Sequence, residues 1–312
     1  MTTQKSTGKA AVEEAGKGRR LPYRLLDVFT RKPLEGNQLA VFTDARGLSD
    51  GEMQALARET NLSETTFILP RSAEVERAEG VKVRIFTTTE ELPFAGHPTL
   101  GTATVLRSIR SNSIDEIVLD LRVGKIPVRF DTREDTPAFG EMHQRDPVAG
   151  TVHNREEIAR VTGLKLDDFD QQLPIQTFST GVPFAVAPLS SLEIIRGLHF
   201  TWSSVGEYLS RSDAKFLYFV SRETVNPKAR LNARMIFYNG EDPATGAAAG
   251  CAAAWMVRYN VTQPDEQVII EQGLEIKRPS EIYVRASRRG DKIDNVLVGG
   301  YSVEVARGEV IL

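Results

Sequence analysis

Val83-Arg84-Ile85-Phe86 runs toward His97-Pro98-Thr99-Leu100-Gly101-Thr102-Ala103, and Arg234-Met235-Ile236-Phe237 runs toward Asp242-Pro243-Ala244-Thr245-Gly246-Ala247-Ala248. Each stretch reads as a strand, a loop, a polar residue, a proline, two residues, a glycine and a helix. Upstream, Ser63-Glu64-Thr65-Thr66-Phe67 is matched by Thr180-Gly181-Val182-Pro183-Phe184. Short matches in a fixed order mark a duplicated unit; coincidence between common strand–loop–helix units is the alternative. Duplication predicts two similar α/β halves with a cleft between them.

Working outward, Leu21–Phe29, Gln38–Thr43, Thr65–Leu69 and Val81–Thr88 read as strands. Ser49 with Glu52 three residues later is the capping-box pattern, so 49–61 reads as a helix with Met53, Leu56 and Ala57 on its apolar stripe. A helix is predicted over Pro98–Ile109, with the proline tolerated in its first turn. Ile117–Leu121 and Ile126–Phe130 flank Gly124-Lys125 as a hairpin. In the second half Asn154 caps a helix through Val161. Strands are predicted at Ile175–Phe178, Phe184–Ala187, Lys215–Ser221 and Asn232–Tyr238, then a small-residue helix at Thr245–Tyr259. Val268–Gln272, Glu281–Ala286, Asn295–Gly299 and Ser302–Ala306 read as closing β structure. The expected division is a tail over 1–20, an N-terminal half over 21–140 and a C-terminal half over 141–312, the last strand being free to return to the first half.

Composition bounds the function. The 312 residues are 41% hydrophobic and 26% charged, ordinary for a globular protein. A net charge of −3 argues against nucleic acid or an anionic membrane as partner. The longest apolar stretch, around 246–257, is short of the ~20 residues that span a bilayer. The single cysteine, Cys251, excludes an intrachain disulfide and a cysteine-based metal cluster, and fits a cytoplasmic location. Met1–Arg20 lacks aromatics and an apolar run and reads as disordered, with Glu13 and Glu14 against a transit peptide.

Three residues carry candidate chemistry. Helix starts present unpaired N–H groups and partial positive charge, so two facing starts would cradle a carboxylate; the plainer reading is ordinary helix starts with Asp242 as an N-cap. Glu64 precedes an apolar strand, where a cleft would raise its pKa toward neutrality; the plainer reading is a solvated strand-end glutamate. His97 follows Gly96 and could exchange protons near pH 7, or simply cap. His143, His153 and His199 show no metal-ligand spacing, and no phosphate loop or dinucleotide fingerprint occurs, so neither metal nor cofactor is expected.

Gly36-Asn37-Gln38-Leu39-Ala40-Val41, Asn61-Leu62-Ser63-Glu64-Thr65-Thr66-Phe67, residues 91–103, Ser179-Thr180-Gly181-Val182-Pro183-Phe184, Glu241-Asp242-Pro243-Ala244-Thr245-Gly246 and the late Val298-Gly299-Gly300 together resemble the PhzF family of phenazine-biosynthesis-like isomerases. The resemblance covers roughly residues 22–312 and implies the diaminopimelate-epimerase-like α+β fold: two pseudo-symmetric halves, each a curved mixed sheet wrapped around a central helix. It implies Glu64 as the proton-shuttling acid/base, with Ser63, Gly96, His97, Asp242, Thr245, Gly246 and Ala247 binding the substrate. Relatives of this fold that epimerise amino acids use two opposed cysteines, which a chain with Cys251 alone lacks. The sequence departs from the phenazine pattern at Ala247, where a serine is expected, and at Gln38, where proline is common. The expectation is a cytoplasmic, homodimeric, cofactor-independent isomerase moving a proton or double bond on a small carboxylic acid. A carbon–carbon hydrolase or tautomerase at the same site, or a non-catalytic metabolite- or protein-binding relative, are the alternatives.

Overall fold

A computed structural model describes residues 18–131, 137–237 and 240–312. The first part runs β1 (Arg20–Val28), β2 (Asn37–Phe42), α1 (Asp50–Thr60), β3 (Thr65–Leu69), α2 (Ala73–Glu79), β4 (Val81–Phe86), β5 (Glu91–Leu92), α3 (Gly96–Arg110), β6 (Glu116–Leu121), β7 (Gly124–Asp131) and β8 (Phe139–His143). The second runs β9 (Val148–Val152), α4 (Arg155–Thr162), β10 (Gln176–Ser179), β11 (Pro183–Leu189), α5 (Leu192–Arg196), α6 (Trp202–Leu209), β12 (Phe216–Ser221), β13 (Ala229–Phe237), β14 (Gly240–Asp242), α7 (Gly246–Arg258), β15 (Val268–Gln272), β16 (Ser280–Arg289) and β17 (Lys292–Ile311).

The capping box is present at α1, where the Ser49 hydroxyl accepts from the Glu52 amide and the Glu52 carboxylate accepts from the Ser49 amide. Residues 1–17 of the expected tail lie outside the described residues, as does Tyr238 at the end of the expected strand 232–238. Arg20 already belongs to β1, and Arg19 pairs with Glu52.

The strands form a mixed sheet that closes on itself in the first half. β1–β2 is antiparallel, β2–β3 parallel, β3–β4 antiparallel, β4–β6 parallel, and β6–β7 and β7–β8 antiparallel. β17 then pairs with both β8 and β1, completing the ring. The same order of pairings recurs from β10–β11 through β11–β12, β12–β13, β13–β15 and β15–β16 to β16–β17. The small hairpins β4–β5 and β13–β14 correspond too.

This pairing pattern corrects the sequence alignment of the halves. Glu91 pairs with Phe86 and Glu241 with Ile236, and α3 and α7 begin at Gly96 and Gly246. The equivalent segments are therefore Glu91-Leu92-Pro93-Phe94-Ala95-Gly96 and Glu241-Asp242-Pro243-Ala244-Thr245-Gly246. His97 stands opposite Ala247, and Asp242 stands opposite Leu92. The first half contains two Pro-x-x-Gly spacings, and the sequence reading matched the later one. Likewise Glu64, which precedes β3, corresponds to Lys215 before β12, while Gly181 leads into β11, the counterpart of β2.

The expected strands 295–299 and 302–306 are one strand, β17. Gly299-Gly300 reads as a breaker in sequence but serves close approach: a Cβ on Gly299 would lie 2.6 Å from Gly140 O, and one on Gly300 would lie 2.7 Å from Phe29 Cδ1. There β17 passes from β16 and β8 to β1.

α3 and α7 are buried along most of their length and belong to the main core. α7 is buried at all but Ala247 and Arg258; its alanines let β10, β11, β16 and β17 approach, and Trp255 fills the remaining space with its Nε1 donating to Pro174 O at 3.1 Å. α3 packs against β1, β2, β3, β6, β7, β8 and β17. A separate cluster, including Ile158, Phe169, Ile195 and Val205, seats α4, α5 and α6 on the second half.

Candidate active site

The two buried helices meet at their starts. A Cβ on Gly96 would lie 3.1 Å from Gly246 Cα and 3.2 Å from Ala247 N, so a side chain there would crowd the backbone of the other helix start. Neither helix has a side-chain cap: Ala95 has no donor or acceptor to offer, and Thr245, the N-cap of α7, spends its hydroxyl on Asp242. Asp242 is thus not the N-cap but lies three residues before it.

One buried amide joins the groups that sequence reading singled out. Asn37, at the start of β2, is 1% exposed. Its Nδ2 donates to Asp242 Oδ1 at 2.8 Å and to Ala244 O at 2.9 Å, and lies 3.2 Å from His97 Nδ1. The two Nδ2 hydrogens go to Asp242 and Ala244, and the hydrogen bond of the ring to the Gln38 backbone places the ring proton on Nδ1, leaving Nε2 bare. That nitrogen is buried, has no hydrogen-bond partner and faces Glu64 Oε2 at 3.5 Å. Glu64, His97 and Asp242 therefore meet, although they come from the loop before β3, the first turn of α3 and the end of β14.

The other predicted residues surround them. Thr245 Oγ1 donates to Asp242 Oδ2 at 2.7 Å, and the Thr245 amide donates to Gln272 Oε1 at 3.2 Å. The Thr245 amide is thus already engaged, which narrows the expected carboxylate cradle to the starts at Gly96–His97 and Gly246–Ala247. Ser63 is half-buried beside Glu64 and hydrogen-bonds to none of these groups.

Sequence reasoning missed Asn37 as a site residue, although it stands in the motif Gly36-Asn37-Gln38. It also missed Gln272 and Gln144. Gln272 Nε2 donates to Asp242 O at 2.8 Å and Thr245 Oγ1 at 3.0 Å, while Tyr218 donates to its Oε1 at 3.0 Å. Gln144 Nε2 donates to Gly246 O at 3.0 Å and its Oε1 accepts from Thr180 at 2.7 Å, tying the end of β8 to α7. No local spacing announces such long-range amides.

Burial sets the protonation states. It raises the Glu64 pKa to about 8, aided by the negative charge of Asp242. It lowers the His97 pKa to about 3, so the imidazole is neutral. It raises Asp242 to about 6 despite the hydrogen bonds from Thr245 and Asn37. Near neutral pH the site thus holds a carboxyl that can gain or lose a proton, next to an uncharged imidazole. The Glu64 side chain keeps 17% exposure, so a small ligand can reach it. Among the described residues no group of three or more His, Cys, Asp or Glu is placed to hold a metal, and no helix is long and apolar enough to cross a membrane.

Comparison with known proteins gives the family. The model of the phenazine biosynthesis-like (PhzC-PhzF) proteins matches residues 26–308. The chain is 36% identical over 310 residues to an uncharacterized isomerase of Mesorhizobium japonicum, covering 93% of this chain and 98% of that one. It is 33% identical over 294 residues to the trans-2,3-dihydro-3-hydroxyanthranilate isomerase of Pseudomonas chlororaphis, covering 93% and 99%. The crystal structure of a Bacillus anthracis phenazine biosynthesis protein of the PhzF family superposes with a TM-score of 0.83 at 26% identity, covering 94% of this chain and 100% of that one.

Proposed function

Since the chain belongs to the phenazine biosynthesis-like (PhzC-PhzF) family and is an isomerase, we propose that it moves a proton or double bond on a small carboxylic acid without a cofactor, with Glu64 as the acid/base. The observation that carries this reading is the pairing of a buried carboxyl of raised pKa with a neutral imidazole whose Nε2 has no partner. Glu64 takes the proton from one substrate carbon and returns it to another. The amides at the starts of α3 and α7 hold the substrate carboxylate, and His97 and Asp242 orient the rest. Water exclusion between the helix starts keeps the proton on Glu64 during transfer.

The same reading treats the chain as a duplication, each half a curved sheet around its buried helix, α3 or α7. The recurring pairing order supports it. Only one half carries Glu64 and His97, and Lys215 and Ala247 stand at the matching positions, so the duplicated frame supports one active carboxyl. The protein acts as a cytoplasmic homodimer in this account.

The test is incubation in D2O with trans-2,3-dihydro-3-hydroxyanthranilate and related unsaturated carboxylic acids, followed by NMR and mass spectrometry. Isomerisation gives a product of unchanged elemental composition with a shifted double bond. A product heavier by one water, or split in two, would establish the hydrolase instead. Binding without conversion across the panel would leave only the binding role.

As a base, Glu64 must be ionised, so kcat/KM rises with pH through a limb near 8. Asp242 is one cause of that raised value. Asp242→Asn removes the like charge and is expected to move the limb to lower pH, whatever it does to KM. A pH–rate profile whose limb stays put would show that Asp242 does not act electrostatically on Glu64.

A further inference from the structure

The proposed site leaves one buried ion pair unused, and it adjoins Asp242 in the chain. Arg234, on β13, faces Glu241, on β14, as a fork: Nε donates to Oε1 at 3.0 Å and Nη2 to Oε2 at 2.7 Å. The side chains keep only 5% and 9% exposure. The remaining nitrogen, Nη1, donates to the carbonyls of Ile195, Arg196 and Leu198 at 2.9–3.1 Å, at the end of α5. Arg234 thus fastens the β13–β14 hairpin to a helix outside the site.

The first half contains the same device. Arg84 on β4 donates to both oxygens of Glu91 on β5, at 2.8 and 2.6 Å. That pair is more exposed and is shared with Asp50 and Arg122. Next to Glu91 stands Leu92, which cannot titrate. Next to Glu241 stands Asp242. The two pairs hold equivalent hairpins, and only the second lies beside an ionisable site residue.

We propose that Arg234 and Glu241 are positioning residues that hold the Asp242 carboxylate against Asn37 and Thr245. The inference rests on Asp242 being part of the site, as read above. The charged and titratable groups around Asp242 are Glu64 and His97 across the helix starts, Tyr218 behind Gln272, and Glu241 itself. Beyond the pair, Glu275 lies 3.9 Å from Arg234 Nε, and His199 and Arg196 line an outer cavity of about 760 Å³. The negative charge of Glu241 raises the Asp242 pKa, and the hydrogen bonds from Thr245 and Asn37 lower it. Removing the charge and loosening the hairpin should therefore act in opposite directions.

The experiment is a carbon-13 NMR titration of the aspartate carboxyls in the full-length, substrate-free protein, with Asp242→Asn identifying the resonance. Glu241→Gln removes the charge, keeps one oxygen for Arg234 and leaves the guanidinium charge uncompensated, and is expected to lower the Asp242 midpoint. Arg234→Lys keeps a cation but loses the fork; Asp242 then slips from its donors and the midpoint rises. Glu91→Gln, the matched change in the other half, leaves the midpoint where it was. With a substrate, Arg234→Lys should lower kcat/KM by about tenfold or more, as expected when a positioned group drifts by a fraction of an ångström. An unmoved midpoint in folded Glu241→Gln, or an equal shift in Glu91→Gln, would reduce the pair to a structural clamp. Should Glu241→Gln not fold, an unmoved midpoint in Arg234→Lys leads to the same conclusion. Because the titration needs no substrate, it is decided independently of whether the isomerase reading holds.

Discussion

Glu64→Gln lowers kcat by about 10³-fold or more while leaving substrate affinity within a few-fold, the loss general acid/base groups typically carry. The amide fills the same space but cannot accept and return a proton. Single-turnover kinetics and ligand titration separate the two effects. A control distinguishes this from misfolding. In the folded protein Glu64 holds its proton up to about pH 8, against 4.5 when unfolded. Between those values the folded state binds more protons, so wild-type stability falls as pH rises across that window. Gln carries no such dependence. Denaturant unfolding should therefore find Glu64→Gln close to wild type near pH 4 and more stable than wild type above pH 8. Full turnover in a folded Glu64→Gln protein would end the mechanism proposed here.

Gly273→Ala is expected to cost about 2–5 kcal/mol, summing the left-handed backbone penalty of an L side chain with the cost of overpacking. Gly273 has φ +79°, and a Cβ there would lie 2.6 Å from Pro243 O and closer still to Arg278 O. Both obstacles are backbone atoms and cannot swing away. The glycine directly follows Gln272, whose amide holds Asp242 and Thr245. The damage should reach the site as well: a raised KM is expected beside a Tm lowered by several degrees. A crystal structure of the variant, or chemical denaturation with unchanged m-value, checks the prediction. A Tm equal to wild type would mean that the turn relaxes without resisting.

The fold is legible in the sequence where side chains leave a period or a punctuation mark. Ser49 and Glu52 announce α1, and the run of alanines after Gly246 announces a helix buried on all sides. α2 escapes such reading because none of its residues is buried, so it has no apolar stripe. β9 escapes it because most of its residues are exposed and show no alternation. β5 and β14 are too short for any pattern, yet they fix the register of the halves. The site divides in the same way. Glu64, His97 and Asp242 sit in motifs with local signatures. Asn37 reaches Asp242 across 205 positions, and nothing near either residue encodes that contact. The misaligned halves show the limit of spacing alone: two Pro-x-x-Gly segments look alike in sequence, and only strand pairing tells which one faces Gly246.

β17 joins the first and last parts of the chain. Its final residues, Ser302–Ile311, pair with β1, the first strand described. During translation β1 leaves the ribosome long before its partner, which lies about 270 residues later. The ring of the half synthesised first therefore cannot shut until β17 has emerged. Many chains fold their N-terminal domain while the rest is being made. This one must keep one side of β1 unpaired, an open edge of the kind that invites wrong pairing, until β17 has been made.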